Sequence, residues 1–219
     1  MSQYAVIFDM DGVICHTNPY HAKAFEAFFN KYNIESSEQE FQDHMYGKHN
    51  SYIMSYFFKR PVEGEELLRL EFEKEDMFRQ IYKSEITPIA RFPEFLDELK
   101  QEGFKTAVAT SAPKANLDLI AEGLQFGPKM ESMLSSENVT KHKPDPQVYL
   151  LTAERLGVYP SQCLVFEDSY SGISAALNAG MKVVGVLSSH TREQLPPCDA
   201  YISDYTEITA QKVKKLINS

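Results

Sequence analysis

Residues 4–8 form an uninterrupted apolar stretch of β-branched and aromatic side chains near the start of the chain. Such a run predicts a strand that is buried on both faces. Two carboxylates, Asp9 and Asp11, follow where the apolar run stops, and Gly12 permits a sharp turn just beyond them. Because side chains alternate along an extended segment, we expect Asp9 and Asp11 to point the same way.

A helical period replaces the strand pattern beyond residue 15. Asn18-Pro19 is typical of a helix start, and apolar residues recur at helical spacing from there to about Tyr32. Further helices are predicted at about 37–45, 51–59 and 63–84. Since no strand pattern falls between 15 and 86, residues 15–86 are predicted to form an inserted, all-helical domain.

Strands and helices alternate in the remainder of the chain, after Thr87-Pro88. Strands are predicted at 105–109, near 133–134, and at 163–167, 182–187 and 200–202. Helices are predicted at about 93–102, 114–122, 146–156, 171–178 and 206–217. This alternation indicates an α/β fold, a Rossmann-like parallel sheet with helices on both faces. The strand at 4–8 joins this sheet most simply, so residues 1–14 and 87–219 are predicted to form one core domain.

The charge of the chain narrows the classes of partner. The 219 residues carry a formal net charge of −9, and no basic stripe or tail is present, so neither nucleic acid nor a membrane surface is an expected partner. No apolar run reaches membrane-spanning length and no basic leader precedes the first apolar stretch, which makes the cytoplasm the expected compartment. Cys15, Cys163 and Cys198 show no CxxC spacing, so neither a disulfide framework nor a zinc site is indicated.

Chemically active residue types follow the predicted strands. In open parallel sheets, ligands bind beyond the carboxyl ends of the strands, so residues at those positions are candidates for a site. Thr110-Ser111 follows the strand at 105–109 and precedes a helix, where a hydroxyl and backbone N–H groups suit phosphate oxygens. An ordinary helix N-cap is the alternative interpretation of this motif.

A second acidic pair, Glu167-Asp168, ends the strand at 163–167. Two acidic pairs that converge at one sheet edge repel each other unless a cation lies between them or one carboxyl is protonated, and oxygen-only ligands favour Mg²⁺. Lys143 lies between these motifs, where neighbouring prolines restrict its loop and would let its ammonium meet a phosphate. The alternative interpretations are an Asp-rich turn that caps the next helix for Asp9 and Asp11, and a surface lysine for Lys143.

Together these motifs resemble the haloacid dehalogenase superfamily of phosphotransferases, in particular the branch with a helical cap that includes β-phosphoglucomutase and many small-molecule phosphatases. The resemblance spans essentially the whole chain. Its four motifs correspond here to Asp9-Met10-Asp11-Gly12-Val13, Thr110, Lys143-Pro144 and Glu167-Asp168. The resemblance implies that the inserted domain is a cap that excludes water and selects the substrate.

The resemblance also implies a role for each motif residue. Asp9 would be the nucleophile that forms an aspartyl-phosphate, and Asp11 would be the general acid and then the general base. Thr110, Ser111 and Lys143 would bind the phosphoryl oxygens. The Mg²⁺ cofactor would be bound by Asp9, the backbone carbonyl of Asp11 and Asp168, with Glu167 helping directly or through water.

Residues of the inserted domain bear on the choice between a phosphatase and a mutase. Candidate cap or substrate residues are Thr17, His21, Gly47, Lys48, His49, Asn50 and Lys74. Thr17, His21 and Lys74 lie at or near positions that couple cap closure to catalysis in β-phosphoglucomutase. Against a mutase, Tyr46 and Asn50 stand where that family has a phosphate-binding lysine and arginine. The alternative interpretation of His21 is a histidine on the surface of a helix, and that of Lys74 is one of several charged residues in the stretch 71–76.

The prediction is therefore an Mg²⁺-dependent phosphohydrolase that acts through an aspartyl-phosphate on a small phosphorylated metabolite, with a sugar phosphate as the leading substrate class. The enzymatic alternative is a β-phosphoglucomutase that interconverts β-glucose 1-phosphate and glucose 6-phosphate. The non-enzymatic alternative is a phosphate-binding regulatory protein. A monomer or a weak dimer is expected, with Tyr56, Phe57 and Phe58 either in a dimer patch or in the core of the inserted domain.

Overall fold

A parallel sheet of six strands is the framework of the protein. The structure is a computed structural model, and it describes residues 4–45 and 50–219. The strands are β1 (Ala5–Phe8), β2 (Lys105–Ala109), β3 (Ser132–Leu134), β4 (Cys163–Glu167), β5 (Lys182–Val186) and β6 (Ala200–Ile202). Their order is β3-β2-β1-β4-β5-β6, so β1 is central, between β2 and β4.

The register of the central strands aligns their carboxyl ends. Phe8, the last residue of β1, pairs with Val108 of β2 and with Phe166 of β4, and both pairings are parallel. All four residues of β1 are fully buried, as an apolar run in the middle of a parallel sheet requires. The residues that follow β1, β2 and β4 therefore emerge at the same edge of the sheet.

Helices complete the architecture in the described part of the chain. They are α1 (Asn18–Lys31), α2 (Glu38–His44), α3 (Asn50–Phe57), α4 (Gly64–Tyr82), α5 (Phe92–Gln101), α6 (Lys114–Leu124), α7 (Gln147–Leu156), α8 (Tyr170–Asn178) and α9 (Ala210–Ile217). None of the helices among these residues is long and apolar enough to cross a membrane. The prediction of an α/β fold with a parallel sheet and an inserted helical region is confirmed.

One sheet face is covered by an aromatic layer. The rings of Phe8 and Phe166, from adjacent strands, stack with their centroids 5.2 Å apart. Phe95 from α5 packs edge-on against Phe166 and stacks on Tyr205, and both Phe95 and Tyr205 are fully buried. The opposite face is aliphatic, with small residues of the strands packed against α7 and α8. Ring burial and ring contacts of this kind stabilise the sheet that carries the strand ends.

The chain divides into two compact units. The sheet unit consists of Met1–His16 and Ile86–Ser219, and the helical unit is Thr17–Glu85. Phe28 and Phe29 of α1 lie in the buried core of the helical unit, together with Phe57 of α3. Tyr56 and Phe58 are partly buried and pack against that core, so all three aromatic residues of the predicted dimer patch contribute to packing within the unit.

The C-terminal helix begins later than the period of apolar residues predicts. A helix from about 206 was expected, but residues 205–207 form a separate 3-10 turn and α9 begins at Ala210. The Asp204 carboxylate accepts the N–H of Thr206, and the Thr209 hydroxyl accepts the N–H of Lys212. These two side-chain caps therefore separate the 3-10 turn from α9, although the apolar period predicts one continuous helix.

Candidate active site

Asp9 is the first residue beyond β1, at the carboxyl edge of the sheet. Its backbone N–H donates to the carbonyl of Phe166 at 3.0 Å, which extends the pairing of β1 with β4 by one residue. Its side chain is buried. Lys143 Nζ donates to Asp9 Oδ1 at 2.7 Å, so the carboxylate is held in place by a buried ion pair.

Lys143 lies in the loop before α7 and reaches three strand ends. Besides Asp9, its Nζ contacts Glu167 Oε1 at 2.7 Å and the carbonyl oxygen of Ala109 at 3.1 Å. An ammonium has three protons, and these three oxygens can accept all of them. The ring of Tyr149 lies 4.9 Å from Nζ and adds a cation–π contact. Lys143 thus ties β1, β2 and β4 together at one point.

Glu167 accepts hydrogen bonds at both of its carboxylate oxygens. Oε1 accepts from Lys143 and from the hydroxyl of Tyr149, at 2.7 and 3.0 Å. Oε2 accepts from the N–H groups of Asp168 and Ser169 and from the Ser169 hydroxyl, all within 3.0 Å. Gly172 is required beside it, because a Cβ there would lie 1.6 Å from Oε1.

Asp168 is buried and is surrounded by the loop that follows β5. Ser189 Oγ donates to its Oδ2 at 2.5 Å, and Ser188 Oγ lies 3.3 Å from the same oxygen. Gly12 approaches from the first acidic turn with a φ of +72°, and a Cβ there would lie 2.0 Å from Asp168 Oδ2. Glycine at position 12 is therefore required both by the left-handed backbone and by the space.

The electrostatics of this edge are unbalanced. Asp9, Glu167 and Asp168 each offer a carboxylate oxygen within 4.8 Å of the others, against the single charge of Lys143. Burial, reinforced by the charges of Glu167 and Asp11, raises the pKa of Asp168 to about 7. Burial also raises the pKa of Asp9 well above its ordinary value, in spite of Lys143. Burial opposes the charge of Lys143, but Asp9 and Glu167 outweigh it and raise the Lys143 pKa.

The other motif residues of the sheet unit lie at the same edge. Asp11 is half-buried, and its charge raises the pKa of both Asp9 and Asp168. Thr110 directly follows β2 and is buried, and its Oγ1 accepts the N–H of Ala112 at 3.0 Å. Ser111 is exposed, just before α6. The structure thus brings together the residues that the sequence singles out in the sheet unit.

The predicted cap residues belong to the helical unit. Thr17 is buried and precedes α1, His21 lies on α1, Lys74 on α4, and Asn50 is the first residue of α3. Lys74 Nζ lies 3.1 Å from His21 Nδ1, so these two candidates are neighbours. Gly47, Lys48 and His49, like Tyr46, lie outside the described residues.

Sequence reasoning misses three residues of this site. Tyr149, Ser188 and Ser189 contact the second acidic pair directly. The serines follow a predicted strand, so the rule that chemistry lies beyond strand ends would have found them. Tyr149 gives no such signal, because an aromatic residue at helical spacing is indistinguishable from core.

A parallel α/β sheet with buried acidic residues and a lysine at the carboxyl ends of its strands is the arrangement of an enzyme rather than of a structural domain. The sequence model of the haloacid dehalogenase-like hydrolases matches residues 6–186, which include the whole cluster. The chain therefore belongs to the haloacid dehalogenase-like hydrolase family, and the family predicted from its motifs is confirmed.

Individual relatives agree with this assignment. The chain is 32% identical to the phosphorylated carbohydrates phosphatase of Thermotoga maritima, over 84% of this chain and 86% of that protein. It is 31% identical to the fructose-1-phosphate phosphatase YqaB of Escherichia coli, over 83% of this chain and 95% of that protein. The crystal structure of a family IA, variant 3 hydrolase from Entamoeba histolytica superposes with a TM-score of 0.92 at 27% identity, over 99% of this chain and 100% of that one.

Proposed function

We propose that this chain is an Mg²⁺-dependent phosphohydrolase that releases inorganic phosphate from a small phosphorylated metabolite, with sugar monophosphates as the substrate class. The observation that carries the proposal is the buried cluster of Asp9, Lys143 and the second acidic pair, which combines a nucleophile, a fixed cation and spare negative charge. Two relatives whose names state phosphatases of phosphorylated carbohydrates support the substrate class. The cytoplasm stays the predicted compartment.

The residues present suit a hard divalent cation. Three buried carboxylates offer oxygens within 4.8 Å of one another beside a single lysine. That excess of negative charge is what Mg²⁺ neutralises, and oxygen ligands are the ones it prefers. Asp9, Asp168 and the backbone carbonyl of Asp11 are the proposed ligands, and Glu167, whose two oxygens already accept hydrogen bonds, would assist directly or through water. When bound, the ion would neutralise charge on the transferring phosphoryl group.

Asp9 is the proposed nucleophile. Lys143 holds its Oδ1 at 2.7 Å, which fixes the orientation of the carboxylate for attack on phosphorus. In the first step an oxygen of Asp9 forms a bond to phosphorus while the bond to the substrate oxygen breaks. The products of this step are an aspartyl-phosphate and the free alcohol.

Asp11 is the proposed general acid and base. It donates its proton to the departing substrate oxygen in the first step and is left as a carboxylate. In the second step it removes a proton from water, the water oxygen attacks phosphorus, and the bond to Asp9 breaks. Inorganic phosphate leaves, and Asp9 and Asp11 return to their starting protonation states.

The phosphoryl oxygens would be bound by Thr110, Ser111 and Lys143. Thr110 is fixed because its Oγ1 already accepts the N–H of Ala112, which directs its hydroxyl proton elsewhere. Ser111 is exposed at the start of the turn into α6, where its backbone N–H and hydroxyl are available to a ligand. The ammonium of Lys143 supplies the fixed positive charge that such oxygens require.

The test is phosphate release from a panel of sugar monophosphates, including fructose 1-phosphate and β-glucose 1-phosphate, with and without Mg²⁺. We expect Mg²⁺-dependent release that disappears in Asp9→Asn. Asp118→Asn, a change in an exposed ion pair with Lys114, is the matched control and should keep its activity. Release that persists in Asp9→Asn, or no release from any member of the panel, would contradict the proposal.

A β-phosphoglucomutase is the second candidate, and the contact of His21 with Lys74 favours it, since His21 has the sequence spacing of that branch and Lys74 falls near a cap lysine of it. A mutase transfers the phosphoryl group back to a sugar rather than to water. The same assay decides between the two if a trace of glucose bisphosphate is added. Glucose 6-phosphate formed from β-glucose 1-phosphate without net phosphate release would establish the mutase.

A further inference from the structure

The loop that follows β5 contacts both acidic motifs. Ser188 and Ser189 lie two and three residues beyond the end of the strand; Ser188 is half-buried and Ser189 is exposed. Their hydroxyls contact Asp168 and the carbonyl of Gly12, which belong to the fourth and the first motif. Neither serine has a role in the motifs themselves. The loop is therefore a separate element that joins the two halves of the acidic edge.

Ser189 fixes one oxygen of Asp168. Its Oγ lies 2.5 Å from Asp168 Oδ2 and 3.2 Å from the Asp168 carbonyl, so its single proton belongs to the closer carboxylate oxygen. His190 Nδ1 lies 2.9 Å from Ser189 Oγ and 3.1 Å from the same carbonyl. In its Nδ1-protonated tautomer His190 donates to the serine oxygen and directs the serine proton toward Asp168.

Ser188 fixes the first acidic turn. Its Oγ donates to the carbonyl of Gly12 at 2.6 Å and lies 3.3 Å from Asp168 Oδ2. Gly12 directly follows Asp11, whose backbone carbonyl is a proposed metal ligand. The hydroxyl of Ser188 therefore holds the turn that carries one ligand against the side chain that carries another.

Ser189 donates to Asp168 Oδ2, and the hydroxyl oxygen of Ser188, whose proton goes to the Gly12 carbonyl, lies beside the same carboxylate oxygen. In the described part of the chain, the hydrogen bonds to the Asp168 side chain all reach Oδ2, which leaves Oδ1 to a cation. When one oxygen of a carboxylate is held in place, the position of its other oxygen is restricted as well. Groups that orient a metal ligand in this way commonly change metal affinity by about 10- to 100-fold when removed.

We propose that Ser188 and Ser189 are positioning residues that present Asp168 Oδ1 and the Asp11 turn to the metal, and so set the affinity of the site for Mg²⁺. The proposal rests on the proposed function, since it assumes that the cluster binds Mg²⁺. The role of the two hydroxyls is orientation only: neither transfers a proton or touches the phosphoryl group. Loss of a hydroxyl therefore affects metal binding first and turnover through it.

The test is calorimetric titration of Mg²⁺ into the native chain and into Ser189→Ala, Ser188→Ala and Ser189→Thr, without substrate. We expect Ser189→Ala to raise the dissociation constant for Mg²⁺ by about tenfold or more, with a smaller rise for Ser188→Ala. Ser189→Thr keeps a hydroxyl and should restore binding. Ser161→Ala, an exposed serine before β4 at the opposite edge of the sheet, is the matched control.

Turnover adds a second readout. At saturating Mg²⁺ the kcat and KM of Ser189→Ala for the sugar phosphate should approach native values, because only metal occupancy is impaired. Alanine variants that bind Mg²⁺ within about twofold of the native chain would overturn the proposal, and if Ser189→Ala fails to fold, Ser188→Ala decides. A native chain that binds no Mg²⁺ would overturn this proposal and the proposed function together. A native chain that binds Mg²⁺ but hydrolyses nothing would overturn only the latter.

Discussion

The sheet unit and the helical unit each bury a cluster of charged side chains, and the two clusters differ in charge balance. In the sheet unit one ammonium, Lys143, faces the carboxylates of Asp9 and Glu167, with Asp168 beside them. In the helical unit Lys74 Nζ pairs with Glu75 Oε1 at 2.5 Å, and both side chains are less than a tenth exposed.

The difference distinguishes a site from a structural pair. Lys74 also lies 4.5 Å from the centre of the Phe25 ring, so its ammonium is neutralised and packed within its own unit. The cluster at the sheet edge keeps surplus negative charge, which burial makes costly. Buried carboxylates retained in spite of this cost suit a divalent cation, whereas Lys74 already pairs with Glu75.

The largest expected effect is that of Asp9→Asn. The substitution removes the proposed nucleophile, so turnover of the best sugar phosphate should fall by on the order of 10⁴-fold or more. The same change removes a repelling carboxylate and should raise the thermal unfolding midpoint of the metal-free chain. Phosphate-release kinetics and thermal unfolding in a chelator check both expectations. A variant with near-native turnover would remove Asp9 from the chemistry.

Lys74→Met should lower the stability of the chain, whereas Asp9→Asn should raise it. It removes the lysine that pairs with the buried carboxylate of Glu75, so we expect the free energy of unfolding to fall. Urea unfolding measures it, and Lys74→Met combined with Glu75→Leu should recover much of the loss. Lys31→Met removes the exposed pair with Glu73 in the same unit and should change stability far less. Equal losses in the two lysine variants would mean that burial of the Lys74 pair carries no special cost.

The charge balance of the sheet cluster also predicts that stabilisation of the fold by Mg²⁺ depends on pH. The pKa of Asp168 is raised to about 7 in the metal-free fold, above the 3.8 of an ordinary aspartate. The folded state thus holds this proton more tightly than the unfolded state, so the metal-free chain loses stability as pH rises from about 4 to about 7. Because carboxylates bind metals in their deprotonated form, Mg²⁺ would bind the ionised form of this site.

The rise in unfolding temperature on adding saturating Mg²⁺ should therefore be larger at pH 8 than at pH 5. Thermal unfolding at the two pH values, with Mg²⁺ and with a chelator, measures this difference. Because EDTA itself titrates, matched buffers without added metal serve as controls. An Mg²⁺ effect of equal size at both pH values would argue that no carboxyl releases a proton on binding.

The smallest expected effect is that of Tyr149→Phe. The change removes one hydroxyl donor from Glu167, while Lys143 and the donors to Oε2 remain. We expect a loss of about 1 kcal/mol in the free energy of unfolding, the usual net value of one hydrogen bond. Tyr159→Phe, on a side chain that is 75% exposed, should show no loss in the same urea titration. A loss of unfolding free energy several times larger would mean that the Tyr149 hydroxyl, rather than the other donors, is what holds Glu167 in place.

The parts of the site that the sequence predicts are those that strand ends determine. Asp9, Thr110 and Glu167 each stand at or directly after the end of an apolar run, and parallel strands in register bring such positions together. The contacts that were not predicted depend on how loops and helices pack back onto the sheet. Ser189 and Tyr149 meet the acidic pair only through the tertiary fold, and no local spacing encodes that approach.

The most direct test of the account is a search for the covalent intermediate on Asp9. The native chain would be mixed with its fastest sugar monophosphate and Mg²⁺, quenched in acid during turnover, and digested for mass spectrometry. We expect one added phosphoryl group on the peptide that contains Asp9, absent when Mg²⁺ is chelated and absent in Asp9→Asn. Turnover with no label, or with the label on another residue, would contradict it.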